Sequence, residues 1–299
     1  VAKSKSCDLT KKSRILDINT ESQEPLGVVR EINDRFSPVA NFACFSGGHD
    51  SLVSTHWAMN NVPGCKVLHC NTGIGIERTR EYVRDVCKEY GWELEEEFQE
   101  GVYEQWCLKY GFPGPAQHSR MYQRLKERSI YKAMRRAKEN KPRRSSVVFI
   151  SGIHKGESLI RSGYDRPASK IGSQTWVNPF YYAAPDVFDE YRNENSLPLN
   201  PIKLAIGMSG ECGCGAFAKK GEFKLWESAC PRFAERIRTL EQKVEDAGKP
   251  WGWESGPPQW YLDQQKGQML MPFMPMCQSC NKRDEISELV SSGLVNMGQ

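Results

Sequence analysis

The sequence predicts an α/β fold: an open, mostly parallel sheet with helices on both faces, followed by a loop-rich C-terminal region. Three observations predict it. An apolar run at residues 39–45 leads through a Ser-Gly-Gly turn into a helix-forming stretch. Strand-like and helix-like segments then alternate up to residue 150, the pattern of parallel strands joined by crossover helices. Residues 146–150, Ser-Val-Val-Phe-Ile, are uncharged and rich in β-branched side chains, as a strand buried on both faces requires.

Taken in order, residues 1–37 are polar and charged and read as an arm leading to a short helix at 26–35. The strand at 39–45 and the helix beginning near Leu52 form the first unit. A second strand, 66–70, runs into Asn71-Thr72-Gly73, and a helix follows over 77–90. Trp92-Glu93-Leu94 starts a third strand. A short helix at 103–110 and a long basic one at 119–139 precede the strand at 146–150. Beyond Ile150, glycine, proline and aromatic residues increase. Helical periodicity returns at 232–245, where Phe233, Ile237, Leu240 and Val244 keep the spacing of one helix face. Residues 248–275 are irregular. The expected organisation is an arm and short helix (1–37), an α/β nucleotide-binding domain (38–205) and a cysteine-cluster region packed on it (206–299).

Composition narrows the function classes. There are 41 Lys and Arg against 37 Asp and Glu, a net charge of +4, which permits a nucleic-acid partner without requiring one. No apolar run approaches the length of a membrane span, and the first residues lack the apolar stretch of a secretory signal. No membrane association and a cytoplasmic location are therefore expected, and the sequence leaves room for a homo-oligomer. Eleven cysteines is a high count. In a reducing compartment, clustered cysteines point to metal or redox chemistry before disulfides. Cys44, Cys65, Cys70, Cys87 and Cys107 sit in apolar or helical settings and read as small buried hydrophobes.

The chemistry begins at Ser46-Gly47-Gly48-His49-Asp50-Ser51. Two adjacent glycines let backbone approach a bound anion where a Cβ would obstruct it. The start of the following helix favours phosphate through its free N–H groups and its dipole. Ser46 and Ser51 add hydroxyl donors, and Asp50 suits a helix cap or a metal ion. The chain has no G-x-x-x-x-G-K-[ST], so this is not the common triphosphatase loop. A second constellation pairs Cys212-Gly213-Cys214 with Cys277-Gln278-Ser279-Cys280. Four thiolates of this kind suit an iron–sulfur cluster or zinc, and spacing alone fits both. Cys230, before Pro231, is a spare.

The 46–51 motif resembles the PP-loop of the N-type ATP pyrophosphatases, enzymes that split ATP between the α and β phosphates. An ordered set of further motifs resembles the phosphoadenosine-phosphosulfate reductase family within that group, over roughly residues 38–245. Asn71-Thr72-Gly73 is similar to the family's Asp-Thr-Gly, with asparagine for aspartate. Residues 151–161, Ser-Gly-Ile-His-Lys-Gly-Glu-Ser-Leu-Ile-Arg, resemble G-x-R-x-x-E-S-x-x-R, with His154 where arginine is usual. Trp176, Asn178-Pro179-Phe180, the acidic turn into a helix at Asp186-Val187-Phe188, and Leu197-Pro198-Leu199-Asn200-Pro201 follow in the family's order.

The resemblance implies an adenine nucleotide α-hydrolase-like fold and an ATP site of Ser46, Gly47, Gly48, His49, Asp50, Ser51, Thr72, Gly73, Gly152 and Glu157. All of these loops lie at strand ends, where ligands of open parallel sheets bind. Asp50, with Mg2+, and Lys155 and Arg161 are the catalytic candidates, the two cations neutralising charge on the transferring phosphorus. His118, Arg120, Arg124 and Lys126, ahead of and within the basic helix, are candidates for holding the second substrate. The arginine pairs 135–136 and 143–144 extend the basic character. Family relatives imply a [4Fe–4S] cluster at Cys212, Cys214, Cys277 and Cys280, with zinc as the alternative metal.

Sulfonucleotide reductases carry a nucleophilic cysteine in a tail of the type Glu-Cys-Gly-(Leu/Ile)-His. Residues 294–299, Leu-Val-Asn-Met-Gly-Gln, hold no such motif. The reading is therefore closest in kind to the DNA phosphorothioation proteins: ATP adenylates an acceptor, a DNA backbone phosphate, for sulfur insertion, with a cysteine desulfurase as sulfur donor. A reductase releasing sulfite from a sulfonucleotide, and a zinc-stapled nucleic-acid-binding protein with a degenerate loop, are the alternatives.

Overall fold

The computed structural model describes residues 14–16, 24–155 and 167–265. In chain order the strands are β1 (Arg14–Ile15), β2 (Ala40–Cys44), β3 (Cys65–Asn71), β4 (Leu94–Phe98), β5 (Val147–Ile150), β6 (Ala168–Ile171) and β7 (Gln174–Val177). The helices are α1 (Pro25–Phe36), α2 (His49–Asn61), α3 (Glu77–Glu89), α4 (Val102–Tyr110), α5 (His118–Tyr122), α6 (Arg128–Ala137), α7 (Pro185–Glu194), α8 (Pro201–Ile206), α9 (Glu222–Ala229), α10 (Pro231–Asp246) and α11 (Gln259–Gln265). Residues up to Pro257 form one compact unit and those from Pro258 a second.

The sheet order is β1-β6-β7-β5-β2-β3-β4. β7, β5, β2, β3 and β4 are parallel, β6 is antiparallel to β7, and the two-residue β1 extends that edge antiparallel to β6. The expected open, mostly parallel α/β sheet is what forms.

Alternation along the central strands decides the layers. Ala43, Val67, Val148 and Ile150 face α1, α2, α3 and α7 and pack with Val28, Ile32, Leu52, Val53, Val83 and Phe188. Phe42, Leu68, Val147 and Phe149 face the other way, onto Ile130, Ala133 and Met134 of α6. With both faces covered, β5 is buried at every position and can carry no charge. The phenyl rings of Phe42 and Phe149 stack across β2 and β5 at 5.7 Å, and Trp176 of β7 continues the stack at 5.1 Å from Phe149.

β4 is an edge strand and is written differently. Its carboxylates alternate, and the two helix layers answer each one. Arg136 of α6 pairs with Glu95 and Glu97, while Arg84 of α3 grips Glu96 from the opposite face with two bonds of 2.8 Å. A charged edge discourages strand addition. The Arg84 guanidinium, against partial burial and with help from Asn71, holds the Glu96 carboxyl down from its ordinary 4.5 to about 2. Glu96→Gln is expected to lower the unfolding free energy by about 1 kcal/mol at neutral pH, since Arg84 is 45% exposed and solvent screens the pair. The folded pKa lies below the unfolded one, so this stability is present above pH 4.5 and lost as pH falls towards about 2. Denaturation curves of the two proteins should converge over that window. A gap independent of pH would show that the carboxylate's charge is not its source.

Besides β1, α9 and α11, which fall in stretches expected to be an arm or irregular, two features differ from the sequence expectation. The long basic helix is continuous from His118 to Ala137, but residues 123–127 form a π-helical turn between α5 and α6. The β6–β7 hairpin was not anticipated. Its turn is Gly172-Ser173 with Gly172 at φ 63°, and the Gly-Ser pair between short β-prone runs is its sequence signal.

Candidate functional site

In an open parallel sheet the ligand crevice lies beyond the strand carboxyl ends, where the connections diverge. Here that point is between β2, which leads towards β3, and β5, which leads towards β7. The loop after β2 is Phe45–Gly48 and α2 begins at His49. Gly47 has φ 75°, and a Cβ there would lie 2.7 Å from the Thr79 methyl, so only glycine turns the chain so tightly against α3. The Ser51 hydroxyl donates to Gly48 O at 2.9 Å, accepts from the Ser46 amide at 3.3 Å and meets the Ser46 hydroxyl at 3.1 Å. Buried Asn200 donates from Nδ2 to Gly47 O at 2.8 Å while its oxygen caps α8 at the Ile202 amide. No side chain caps α2. The loop is thus held from behind, with the start of α2 left for an anion.

The facing wall is the loop after β5. Gly152 lies so close that a Cβ on it would meet Asp50 O at 2.3 Å. The Ser151 hydroxyl donates to Asn178 at 2.5 Å and ties this loop to the end of β7. Asp50 sits between two imidazoles: His49 Nδ1 at 3.0 Å and His154 Nε2 at 3.7 Å. Burial opposes its charge, but His49, Lys203 and His154 outweigh that and hold the carboxyl below its usual range. His49 also reaches Asp189 of α7 at 3.4 Å. An ionised, partly exposed carboxylate suits Mg2+. Lys155 is not drawn in; its ammonium lies 5.6 Å over the Tyr182 ring and the residue is exposed. Glu157 and Arg161 lie outside the described residues.

A second cluster of polar groups lies at the end of β3. Thr72 donates its amide to Glu211 Oε1 at 2.8 Å and its hydroxyl to Glu211 O at 2.7 Å. Both polar groups are therefore engaged in holding the 211–214 loop to the sheet. The Gly73 carbonyl accepts from Arg236 at 2.7 Å, and its amide donates to Asn71. Glu211 also lies 3.5 Å from buried His69, whose Nδ1 donates to Phe45 O. This seats Cys212 and Cys214 with their sulfurs 3.7 Å apart.

The two thiols differ. Cys212 is exposed and Cys214 buried. The hydrogen bond with Cys214 and the nearby Lys126 ammonium, against burial, draw the Cys212 thiol below its ordinary value, while Cys214 is pushed up. Burial pushes Cys65, Cys70, Cys87 and Cys107 up to about 12, and Cys44 and Cys230 also rise. Among the described cysteines Cys212 alone is drawn towards the thiolate, the form that binds metals and attacks electrophiles. Burial works against the Lys126 charge, but Cys212, Tyr122 and Glu211 hold its pKa above the ordinary value. A soft pair of thiols suits an iron–sulfur cluster or zinc by donor type. Its spacing is close to the roughly 3.8 Å edge between two sulfurs of one tetrahedral zinc. No group of three or more His, Cys, Asp or Glu side chains converges among the described residues, and Cys277 and Cys280 lie outside them.

The expected second-substrate residues are dispersed around one helix. Tyr122 and Lys126 face Cys70 and Cys212, whereas Arg124 lies 5.0 Å over the Trp106 ring and lines a cleft with Arg120. The His118 ring lies 4.7 Å from Phe217. Arg136 is committed to β4, and Arg143 and Arg144 precede β5, at the opposite end of the sheet from the switch-point loops.

Sequence reasoning did not single out His69, Glu211, Asp189 or Lys203, nor Trp106 and Tyr110. Glu211 directly precedes the Cys212 motif, and a buried acid there was the available signal. Trp106 and Tyr110 stand four apart on α4, a spacing readable in the sequence, whereas the others depend on contacts between residues far apart in the chain.

Fold and loops define the class: an open α/β protein whose switch point lies between β2 and β5, with a glycine loop at each strand end. Residues 40–173 match the family model described as the phosphoadenosine phosphosulfate reductase domain. That stretch, just under half of the chain, includes both loops of the switch point. Three solved structures are similar over longer stretches. Phosphoadenylyl-sulfate (PAPS) reductase from Candida auris, in its phosphate complex, is 18% identical, with 63% of this chain and 87% of that one covered and a TM-score of 0.47. NH3-dependent NAD synthetase from Campylobacter jejuni is 19% identical, covering 77% and 94%, with a TM-score of 0.44. The U34-tRNA thiolase NcsA from Methanococcus maripaludis, with its [4Fe-4S] cluster, is 14% identical, covering 74% and 80%, with a TM-score of 0.37. No residue role follows from likenesses this distant. No curated protein matches the chain. No helix among the described residues is long and apolar enough to cross a membrane.

Proposed function

We propose that the chain is a PP-loop ATP pyrophosphatase that adenylates an acceptor, a nucleic-acid backbone phosphate, for sulfur insertion. The observation that carries this reading is the switch-point loop: paired Ser46 and Ser51 hydroxyls, a glycine backbone held by Asn200 and Gly152, and an uncapped helix start. An acceptor oxygen attacks the α-phosphorus of ATP, the α–β bridging P–O bond breaks, and pyrophosphate leaves with the electron pair. A sulfur nucleophile then attacks the adenylated phosphorus and AMP departs. The loop amides and serine hydroxyls orient the phosphates, and Asp50 would hold Mg2+. His154, standing 3.7 Å from Asp50, faces the same place from β5. Lys155, Glu157 and Arg161 remain proposed partners from the sequence.

Cys212 and Cys214, with Cys277 and Cys280, are the proposed ligands of an iron–sulfur cluster, which when bound supplies an iron able to carry sulfur. A cysteine desulfurase is the proposed sulfur donor. The hydrogen bond with Cys214 and the Lys126 ammonium both favour the Cys212 thiolate, the form a soft metal binds. The 3.7 Å sulfur spacing favours zinc as the alternative metal. The domain match favours a second reading, a sulfonucleotide reductase.

Anaerobic purification followed by ATP turnover with and without DNA tests the proposal. Pyrophosphate and AMP are expected, stimulated by DNA, and Asp50→Ala should abolish the release while staying folded. Orthophosphate as product, or wild-type turnover by Asp50→Ala, overturns the assignment. Sulfite release from a sulfonucleotide would select the reductase. A brown protein is expected for the cluster and a colourless one for zinc.

A further inference from the structure

Trp106 and Tyr110 stand four residues apart on one face of α4, with ring centroids 4.5 Å apart. Arg120, Gln123 and Arg124 stand on the helical run that follows, and the five side chains line an open cleft of about 270 Å³. The Arg124 guanidinium lies over the Trp106 ring at 5.0 Å, and the Lys109 ammonium lies 5.1 Å from the Tyr110 ring centre. Among the described residues none of Lys109, Arg120 and Arg124 is in a salt bridge, and no carboxylate lines the cleft. Tyr110 is 47% exposed, whereas Trp106 is 6% exposed and its indole Nε1 has no hydrogen-bond partner. A buried donor left unpaired is costly and asks for a ligand or water.

Aromatic rings and arginine planes are surfaces on which unpaired bases stack, and free cations beside them suit the attached phosphates. The uncharged Gln123 amide offers both a donor and an acceptor to a base edge. The volume falls just short of the about 300 Å³ at which pockets for drug-sized ligands begin, so the cleft takes one ring system. A paired, stacked base cannot enter a concave site of this kind. The π-helical turn at residues 123–127 interrupts the helix at this position, a distortion frequent at functional sites.

We propose that the cleft between α4 and the α5 region binds an unpaired nucleotide of a single-stranded nucleic acid, its base stacked on Tyr110 and Arg124 and its phosphate on Arg120. The proposal rests on the nucleic-acid reading above and narrows it to a single-stranded acceptor. Arg120 and Arg124 occupy one stripe of the helix, and Lys126, beside Cys212, occupies another. The cleft residues therefore position the strand and do not touch the reacting phosphate.

The test is fluorescence anisotropy of labelled oligonucleotides with the full chain: single-stranded DNA, single-stranded RNA, and the DNA duplex. Single strands are expected to bind more tightly than duplex, and the better of DNA and RNA names the acceptor's chemistry. Tyr110→Ala should weaken single-strand binding about 5- to 150-fold, the range for loss of one stacked base. Arg120→Ala should lower the salt dependence by about one phosphate contact. Both side chains are exposed, so both variants should keep the wild-type circular dichroism, and Arg144→Ala, at the far end of the sheet, should bind as wild type. Unchanged affinity in Tyr110→Ala overturns the proposal. So does duplex bound as tightly as single strand, or displacement of the strand by AMP as effective as by unlabelled strand. Basal pyrophosphate release, with water supplying the attacking oxygen in place of the acceptor, separates the two readings. If release persists while Tyr110 proves irrelevant, only the cleft fails; Tyr110-dependent binding without release removes only the pyrophosphatase.

Discussion

Gly152→Ala is expected to lower pyrophosphate release at least about a hundredfold, although the substitution adds one methyl group to a residue without a side-chain role. The Cβ would lie 2.3 Å from Asp50 O, 2.6 Å from Asp50 C and 3.0 Å from Ser51 N. All three are backbone atoms at the start of α2, so no rotamer change relieves the contact. Either the loop after β5 withdraws or the Ser46–Ser51 turn is pushed out of place. A displacement of about 1 Å in a positioning element is enough for a loss of that size. The effect should fall on turnover far more than on folding, because β2 and β5 pair through Ile150 and do not include Gly152. A variant with wild-type turnover would mean that the two loops do not jointly form the ATP site.

The sheet was legible because its signals are local. An apolar run followed by Ser-Gly-Gly, and the uncharged 146–150 strand, are each readable within a few residues, and both lie where expected. Their convergence was legible from topology, since strand ends at a switch point must adjoin. The β6–β7 hairpin was missed because its signal is a two-residue turn between short strands. Asn200 shows a different limit: it appeared only as part of a proline-rich succession, yet it holds the carbonyl of Gly47, 153 residues away in sequence. Thr72 shows a third. Its place at the end of β3 was readable, but the partner that takes both of its polar groups lies 139 residues on. The π-helical turn has no signature in residue type. It alters the phase of a helix whose amphipathic pattern reads as regular.

Glu211→Ala is expected to cost about 3–5 kcal/mol of stability, the range for breaking a buried charge pair. Glu211 is 1% exposed and joins three things. Its Oε1 accepts the Thr72 amide at 2.8 Å, its backbone oxygen accepts the Thr72 hydroxyl, and its Oε2 stands 3.5 Å from His69 Nε2. Alanine keeps only the backbone contact and leaves the His69 Nε2 and the Thr72 amide buried without partners. Because the Phe45 carbonyl fixes a proton on His69 Nδ1, the ring can offer Nε2–H to Glu211 only as the cation. Burial disfavours that cation, but Glu211 outweighs burial and raises the His69 pKa above its ordinary 6.5. A raised folded pKa gives stability that is full below pH 6.5 and lost as pH rises through the folded value. The difference between wild type and Glu211→Ala in urea unfolding should therefore be largest in mild acid and narrow at alkaline pH. Glu211→Gln, which still accepts from Thr72 but has no charge for His69, should lose less and should remove the pH dependence. Equal stability of all three proteins would show that the 211–214 loop, and with it Cys212, is held to the sheet by something other than this carboxylate.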